Sequence, residues 1–329
     1  MAETLKLMIG RAKTFTDYSE LIQKVTFSGR KGAAPRSLEV VLYDNKKLGA
    51  NRASVNCSEG QTVIYYVDGV EQFRGLLMSE SYSSKNKLTI KAYDNLVYAT
   101  NNKASFSYKK KTATTIINDC CKKLGLTVGS AVDTKTKIGE LVKKNSTYWD
   151  VMEDALSQTY KKTGKRYYIC SEKGKIYLRR RIEQTTMPII ELATNVELYT
   201  RTRSIEDTKT RLKLTTSKGK SKGSTTVESL EKKIGKFQDV QNVDADISRT
   251  EINQLIKTFR EEEAVVDQSL KVDCLGNIDV KSGGCVYVYI TDIGAKRIMY
   301  VDEDTHTWSD GVHKMTLKLN YANDINKAG

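Results

Sequence analysis

The last eighty residues constrain the fold most, because they change from a helical to a strand pattern at a defined point. Ser248 and Glu251 have the S-x-x-E spacing of a capping box, in which each side chain binds the other residue's backbone N–H at a helix start. The apolar residues that follow lie on one face of a helix, namely Ile252, Leu255, Ile256 and Phe259. The sequence therefore predicts a capped amphipathic helix here.

Four strands are predicted after this helix, because apolar residues become frequent and alternate with polar ones. They are Val265–Cys274, Gly284–Thr291, Lys296–Val301 and His313–Tyr321. The segment between the last two, Asp302–Gly311, is polar and rich in turn-forming residues, so it is predicted to be a link. Trp308 lies in this link as a candidate structural aromatic, expected to pack on a barrel or at a subunit contact.

Residues 1–102 are predicted to be mostly strands. Asp68-Gly69 is a tight-turn pair that joins two of them into a hairpin. The clearest strand patterns are Ser37–Tyr43, Gln61–Val67, Val70–Met78 and Lys87–Tyr93. Several short strands separated by turns favour a small barrel or sandwich.

Residues 103–195 are predicted to form an inserted α+β domain. Thr112 can cap a helix that ends at Gly125, and a second helix is expected over Thr147–Lys162. A hairpin of Arg166–Cys170 and Lys175–Arg180 follows.

Residues 196–329 return to strands, beginning with Glu197–Thr202 and Thr210–Thr216. Ser217–Ser224 is rich in Gly, Ser and Lys, so we predict a flexible loop there. The predicted fold class is α+β and β-rich, with β-rich ends around an α+β middle.

The net charge of +14 is concentrated in the middle of the chain. Residues 101–225 contain 27 Lys/Arg and 12 Asp/Glu, so they account for the whole excess. The candidate surface that faces a partner or a channel is Arg166, Lys175, Arg179, Arg181, Arg211, Lys213, Lys218 and Lys220. Such a surface could bind nucleic acid or an acidic protein, or it could be a solvated strand face. No helix-turn-helix, RNP motif or zinc finger is present, so sequence-specific nucleic-acid recognition is not expected.

Catalytic motifs are missing from the sequence: it contains no GxSxG, HExxH or P-loop. The six cysteines form no CxxC pair, and reduced, buried thiols are expected. His306 and His313 are the only histidines. Two histidines supply too few ligands for a metal site, so we expect no metal or other cofactor, and replacement of both by Gln is expected to be tolerated. A cell-wall hydrolase or glycan-binding module is the weakest alternative.

The order of several short motifs resembles one protein family. In residues 1–152 they are Val25–Gly29, Arg36–Val40, Asp68–Glu71, Phe73-Arg74-Gly75, Lys91–Leu96 and Tyr148–Met152. Near the C-terminus they are Gly276-Asn277-Ile278, Ser282–Val288, Met299-Tyr300-Val301, His306–Gly311 and Thr316–Leu319. With this order the chain is similar, over nearly its whole length, to the XkdQ-type hub proteins of PBSX-like contractile tails. That family is related to late control protein D and to the central hub of T-even baseplates.

The resemblance implies two tube-like β-barrel domains that bracket the inserted domain. It also implies a homotrimeric, non-enzymatic ring that joins a tail tube or tube-initiator protein to a spike. Other baseplate proteins, and the tape measure, are further expected partners. The expected location is the baseplate of a virion or of a phage-tail-like bacteriocin (tailocin).

The ends of the chain suggest where the protein is made and what it lacks. The N-terminus has no signal-peptide pattern, and no apolar run is long enough for a transmembrane helix. Synthesis in the host cytoplasm, without membrane partners, is therefore expected. The chain ends eight residues after Tyr321, so the spike and any hydrolase are expected to be separate chains.

Overall fold

The computed structural model describes residues 3–44, 54–181 and 187–321. The eight residues after Tyr321, on which the expectation of a separate spike depends, lie outside the described residues. The chain is β-rich, with 51% strand and 19% helix. The predicted β-rich α+β class is therefore confirmed at this level.

In its described residues, the N-terminal part contains seven strands, a 3-10 turn at Ser19–Leu21 and a one-turn α-helix. They are β1 (Leu5–Arg11), β2 (Thr14–Asp17), β3 (Ile22–Arg30), β4 (Ser37–Tyr43), β5 (Thr62–Val67), β6 (Val70–Ser83), β7 (Lys87–Asp94) and α1 (Val97–Asn101). Asp68 and Gly69 both have positive φ and close the predicted hairpin. The strand patterns seen in the sequence are confirmed here.

The middle part contains the two predicted helices and the predicted hairpin. Its elements are β8 (Lys103–Lys109), α2 (Ala113–Lys123), β9 (Val128–Ala131), β10 (Glu140–Thr147), α3 (Tyr148–Thr163), β11 (Tyr167–Glu172) and β12 (Lys175–Arg180). Thr112 caps α2, while Thr147 and Asp150 form a capping box on α3. Gly164 ends α3 in the left-handed conformation that glycine commonly adopts at a helix C-terminus.

The C-terminal part combines a sheet with a smaller helix-covered unit. Its elements are β13 (Ile189–Glu191), β14 (Val196–Ser204), β15 (Arg211–Thr215), β16 (Ser221–Thr226), α4 (Glu228–Ile234), β17 (Gln238–Asn242), α5 (Arg249–Glu262), β18 (Asp267–Leu275), β19 (Cys285–Ile290), β20 (Ala295–Ser309) and β21 (Val312–Asn320). The capping box of Ser248 and Glu251 is present at the start of α5, which confirms the prediction.

One large sheet runs through both β-rich ends of the described chain. Its strand order is β14-β18-β21-β20-β3-β4-β7-β6-β5-β1-β2, and β19 and β13 extend it beside β20. The two ends meet where β20 pairs antiparallel with β3, with His306 opposite Phe27. Because backbone hydrogen bonds cross this boundary, the N- and C-terminal strands are one structural unit at this point.

Strand β20 makes that connection by changing its neighbour halfway along. Its first half, Ala295–Tyr300, pairs with β19, and its second half, Glu303–Ser309, pairs with β3. The register against β21 shifts between Val301 and Glu303, which places an irregularity at the point of exchange. A bulge bends a strand and increases its twist, and so lets one strand serve two sheet regions.

Two sequence predictions were wrong in this part. Asp302–Ser309 belongs to β20 rather than to a polar link, and only Asp310 and Gly311 form the turn. The polar residues of the strand suggested a loop, but their charges are neutralised by partners far away in sequence. Likewise, Ser221–Ser224 belongs to β16, so the predicted flexible loop shrinks to residues 217–220.

The described residues form four hydrophobic clusters. One belongs to the N-terminal strands, one to the middle part, one to the C-terminal sheet and one to the unit around β15 and α5. Trp308 crosses this division, because it lies on β20 but packs in the N-terminal cluster.

Candidate functional site

The inward-facing side chains of β20 form a buried polar junction between the two β-rich ends. Asp304 and His306 are each at most 1% exposed, and Trp308 is 4% exposed. They alternate with half-buried residues because successive side chains of a strand point to opposite faces. Buried polar groups need partners, and those partners come from other parts of the chain.

Arg36 forms a two-point ion pair with Asp304. Its Nη1 lies 3.0 Å from Asp304 Oδ1, and its Nη2 binds Oδ2. The backbone N–H of Ser282 also donates to Oδ1, at 2.6 Å. The guanidinium lies over the ring of Phe27, 4.4 Å from the ring centroid. Segments from three parts of the sequence thus meet at one carboxylate.

The ionised form of Asp304 is favoured by these contacts. Burial by itself would raise the pKa of this carboxyl, but Arg36 and His306 outweigh burial and hold the pKa below its usual value. Next to the pair, burial lowers the pKa of Lys281, which donates to Gln72 Oε1 at 2.9 Å.

A chain of hydrogen bonds links both histidines to the N-terminal segment. His306 Nε2 lies 2.9 Å from the carbonyl oxygen of Val280, and His306 Nδ1 lies 3.0 Å from His313 Nε2. The remaining nitrogen, His313 Nδ1, lies 3.0 Å from a carboxylate oxygen of Glu3. Trp308 donates to the same carboxylate and stacks on the His313 ring at 4.1 Å. The expectation that both histidines can be replaced without effect is therefore unsupported.

A second buried ion cluster lies at the register shift of β20. Asp302 is 2.8 Å from Lys31 Nζ and 4.0 Å from Arg181 Nη2. The Arg181 guanidinium also lies 4.7 Å from the ring centroid of Tyr300. Because Arg181 directly follows β12, this cluster ties the middle part to the junction.

The basic residues selected from the sequence do not form one surface. Arg166 and Arg181 are about 5% exposed or less, which corrects their assignment to a partner- or channel-facing patch. Arg166 binds Glu262 and donates to the Tyr160 hydroxyl at 2.7 Å, which joins α3 to α5.

The other six patch residues divide into two groups. Arg179 and Arg211 are half-buried and form two-point ion pairs with Glu172 and Glu231. The remaining four are exposed lysines, namely Lys175, Lys213, Lys218 and Lys220. Of the eight candidate residues, only these lysines present exposed charge to a polyanion.

The cysteines do not resemble activated nucleophiles. All six are free, and four of them are buried. Burial raises the pKa of Cys120 to about 11 and that of Cys121 to about 12. A thiol in this state is mostly protonated at neutral pH and is therefore a poor nucleophile.

No group of three or more His, Cys, Asp or Glu side chains suited to a metal ion occurs among the described residues. In the same residues, no helix is long and apolar enough to cross a membrane.

Sequence reasoning missed most of the junction. Glu3, Arg36, Ser282 and Lys281 had no motif that marked them as partners of β20. The one available signal was the period-two spacing of Asp302, Asp304, His306 and Trp308, which is typical of a strand but was hidden by their polarity.

Two curated relatives from Bacillus subtilis (strain 168) match nearly the whole chain. The phage-like element PBSX protein XkdQ is 31% identical over 309 residues, covering 92% of this chain and 94% of its own. The uncharacterized protein YqbQ is 29% identical over 315 residues, covering 94% and 95%. The predicted resemblance to XkdQ-type proteins is thereby confirmed.

Solved structures share the fold at low sequence identity. The 43 kDa tail protein of prophage MuSo2 from Shewanella oneidensis has a TM-score of 0.72 at 12% identity, with 95% of this chain and 98% of that chain covered. An E. coli component of the type VI secretion system, described as structurally similar to the T4 tail proteins gp27 and gp5, has a TM-score of 0.58 at 10% identity. The match covers 97% of this chain and 77% of that one.

The YqbQ-like family matches residues 25–320, which include Asp304, His306, Trp308 and the junction partners described above, except Glu3. The chain therefore belongs to the YqbQ-like family and has the fold of phage tail proteins.

Proposed function

We propose that the chain is a non-enzymatic structural subunit of a phage or tailocin baseplate hub. Three copies would form a ring that joins the tail tube, or a tube-initiator protein, to a trimeric spike. In this proposal the two β-rich ends are tube-like barrels, residues 1–102 and 196–329, and residues 103–195 are the insert between them.

The observation that carries the proposal is the continuous sheet with two different faces. One face is covered by the N- and C-terminal hydrophobic clusters. The other face is polar across the junction: Asp273, Thr316, Thr305, Ser28 and Ser37 lie side by side on five neighbouring strands.

This polar face has the properties of a channel wall. It carries a depression of about 300 Å³ lined by Thr200, Thr202, Ser269, Lys271, Glu303, Thr305, Thr316 and Lys318. Its charges are balanced locally, because Glu303 lies 3.4 Å from both Arg30 and Lys318. Hydroxyl groups and balanced charges keep such a surface hydrated, and the lack of an apolar stripe makes it a poor docking site for another protein.

Its partners and location follow from the same proposal. The fold shared with a type VI secretion component that resembles the T4 tail proteins gp27 and gp5 supports tail and spike proteins as partners. Other baseplate proteins and the tape measure would contact the ring from outside or pass through it. The chain would be made in the host cytoplasm and would reside in the assembled tail.

Cryo-electron microscopy of purified particles tests this proposal directly. We expect three copies at the tip of the tube, with the Thr305 face toward the lumen. A different copy number, or a location on the sheath or fibres, would refute the ring. A particle in which the Thr305 face contacts another protein would refute the channel wall alone.

Nucleic-acid binding is the alternative function, and the four exposed lysines are the observation in its favour. Mobility-shift assays at several salt concentrations should compare the natural chain with a variant in which these lysines are Gln. Tight binding at ~0.15 M salt that weakens steeply with added salt and is lost in the variant would favour this alternative.

A further inference from the structure

The buried histidine chain contains more hydrogen bonds than two neutral imidazoles can supply. Its two ends are acceptors, since Val280 contributes a carbonyl oxygen and Glu3 a carboxylate. His306 Nε2 and His313 Nδ1 must therefore each carry a hydrogen. The central contact, His306 Nδ1 to His313 Nε2, needs a third hydrogen. Each neutral imidazole has only one N–H, so the pair lacks one proton.

We propose that His306 and His313 form a binding site for a single shared proton. In this state the two rings together carry one positive charge and three N–H groups, and every contact in the chain has one donor and one acceptor. The third proton lies between the rings, on either side of the central bond. This inference does not depend on the proposed hub function.

The surroundings of the rings favour a single positive charge. Asp304 Oδ2 lies 3.5 Å from His306 Nε2, and neither side chain is exposed to solvent. At the other ring, the indole of Trp308 is nearly parallel to His313, at an interplanar angle of 20°. An aromatic face attracts a cation, and the Glu3 carboxylate balances its charge.

A protonated Glu3 is the competing way to supply the missing hydrogen. Glu3 is 26% exposed, and it also accepts a hydrogen bond from Trp308. Because Glu3 already accepts from Trp308, we place the third hydrogen on the rings.

A positive charge centred on the His313 ring is disfavoured. Burial lowers the pKa of His313, and although Glu3 raises it, the neighbouring His306 lowers it further. The shared hydrogen is therefore expected to lie closer to the His306 side of the central bond.

The other charged groups near the pair lie on two sides. Arg36 and Lys281 lie beyond Asp304 and Phe27, where they oppose a positive charge on His306. On the His313 side, a cavity of about 670 Å³ is lined by Glu3, Lys24, Lys87, Trp308, Asp310 and His313, among others. This cavity gives the proton a route to solvent.

Loss of the proton would weaken the attachment of the N-terminal segment. Without it, one contact in the chain would bring two lone pairs together at about 3 Å. Glu3 lies two residues before β1, which pairs with both β2 and β5. The protonated pair therefore fastens the start of the chain to the β20–β21 hairpin, and loss of the shared proton loosens it.

Nitrogen-15 NMR of histidine-labelled protein tests the proposal, because the chain has only two histidines and therefore only four ring nitrogens. The protein should carry a C-terminal tag without histidines. Near pH 7 we expect proton occupancy equivalent to three of the four nitrogens, with the two central ones sharing one hydrogen. Occupancy of two, with two bare nitrogens, would overturn the proposal.

Glu3→Gln provides a matched variant. Its amide can donate to His313 Nδ1 while its carbonyl accepts from Trp308, so the chain is complete without the extra proton. We expect occupancy to fall from three to two while the fold is kept. Asp310→Asn, in the wall of the same cavity, is the control and should keep three. A Glu3→Gln protein that keeps three protons would also contradict the inference.

Discussion

The Arg36 guanidinium binds the Asp304 carboxylate across 268 positions of sequence. Arg36 precedes β4 in the N-terminal part, and Asp304 lies on β20 in the C-terminal part. Their side chains are 14% and 0% exposed, so neither charge can be satisfied by water alone. The pair therefore makes the two β-rich ends depend on each other.

Arg36→Met is expected to destabilise the fold strongly. Removing one partner of a buried ion pair leaves the other charge unpaired, which costs about 3–5 kcal/mol in the free energy of unfolding. Arg30→Met is the matched control, because its pair with Glu303 is exposed and contributes about 0–1 kcal/mol. Urea unfolding of both variants measures the difference. Equal losses would show that the Arg36 pair does not hold the junction together.

Trp308→Ala should cost about 3–5 kcal/mol, because a large buried aromatic is removed from the N-terminal cluster. Assembly into particles should fall as well. Val312→Ala, at a 46%-exposed position of the adjoining strand, should change stability by less than about 0.5 kcal/mol. Chemical denaturation gives both values. A loss of unfolding free energy well below about 3 kcal/mol for Trp308→Ala would mean that neighbouring side chains move to fill the space left by the indole.

Gly276→Ala should disturb the histidine pair. A Cβ on Gly276 would lie 2.0 Å from the His313 ring, so the ring or the backbone must move. Such overpacking costs about 1–3 kcal/mol. Gly139→Ala is the control, since the nearest atom to its Cβ would be 4.0 Å away. The melting temperatures of the two variants should differ clearly, and similar values would contradict the close contact.

Asp94 should give stability a measurable pH dependence. Burial raises the pKa of this carboxyl to about 6, despite hydrogen bonds from the backbone of Leu96 and Arg36. The folded state therefore binds a proton more tightly than the unfolded state. This contribution to stability is fully present below about pH 4 and is lost as the pH rises through 6.

The pKa of Asp94 lies about two units above its ordinary value, which corresponds to about 3 kcal/mol in the free energy of unfolding. Asp94→Asn removes this titration, so the difference in unfolding free energy between the two proteins should change between pH 4 and 7. A constant difference over that range would rule out the raised pKa.

The turn between β15 and β16 should tolerate shortening, but the strand after it should not. Replacing residues 217–220 by a two-residue turn removes only exposed side chains. Deleting 221–224 instead removes most of β16, whose register partners include Leu214 and Lys213. Thermal unfolding should show a small change for the first deletion and a large loss for the second. Equal, small changes would mean that residues 221–224 behave as a loop after all.

Local patterns predicted much of the fold because their causes are local. The capping box at Ser248, the cap at Thr112 and the Asp68-Gly69 hairpin each depend on a few neighbouring residues. The β-rich class and the family resemblance were available from the sequence for the same reason.

The candidate site could not be predicted, because its partners are distant in sequence. Asp302, Asp304 and His306 resemble a solvated link by composition. Their burial becomes favourable only when the folded chain brings Lys31, Arg36, His313 and Glu3 into contact with the site, since a buried charge is tolerated when it is paired. For Arg166 and Arg181 the error was the reverse. The sequence predicted exposed cations, but carboxylates distant in sequence allow these side chains to be buried.

The sequence by itself determined the helices α2, α3 and α5, the hairpins at Asp68-Gly69 and at residues 166–180, the β-rich class and the family. The tertiary structure decided which strand joins the two ends, which charges are buried and how many protons the histidine pair needs. The physical reason is the range of the interactions: caps and turns act within a few residues, whereas strand pairing and ion pairing depend on contacts that only the folded chain creates.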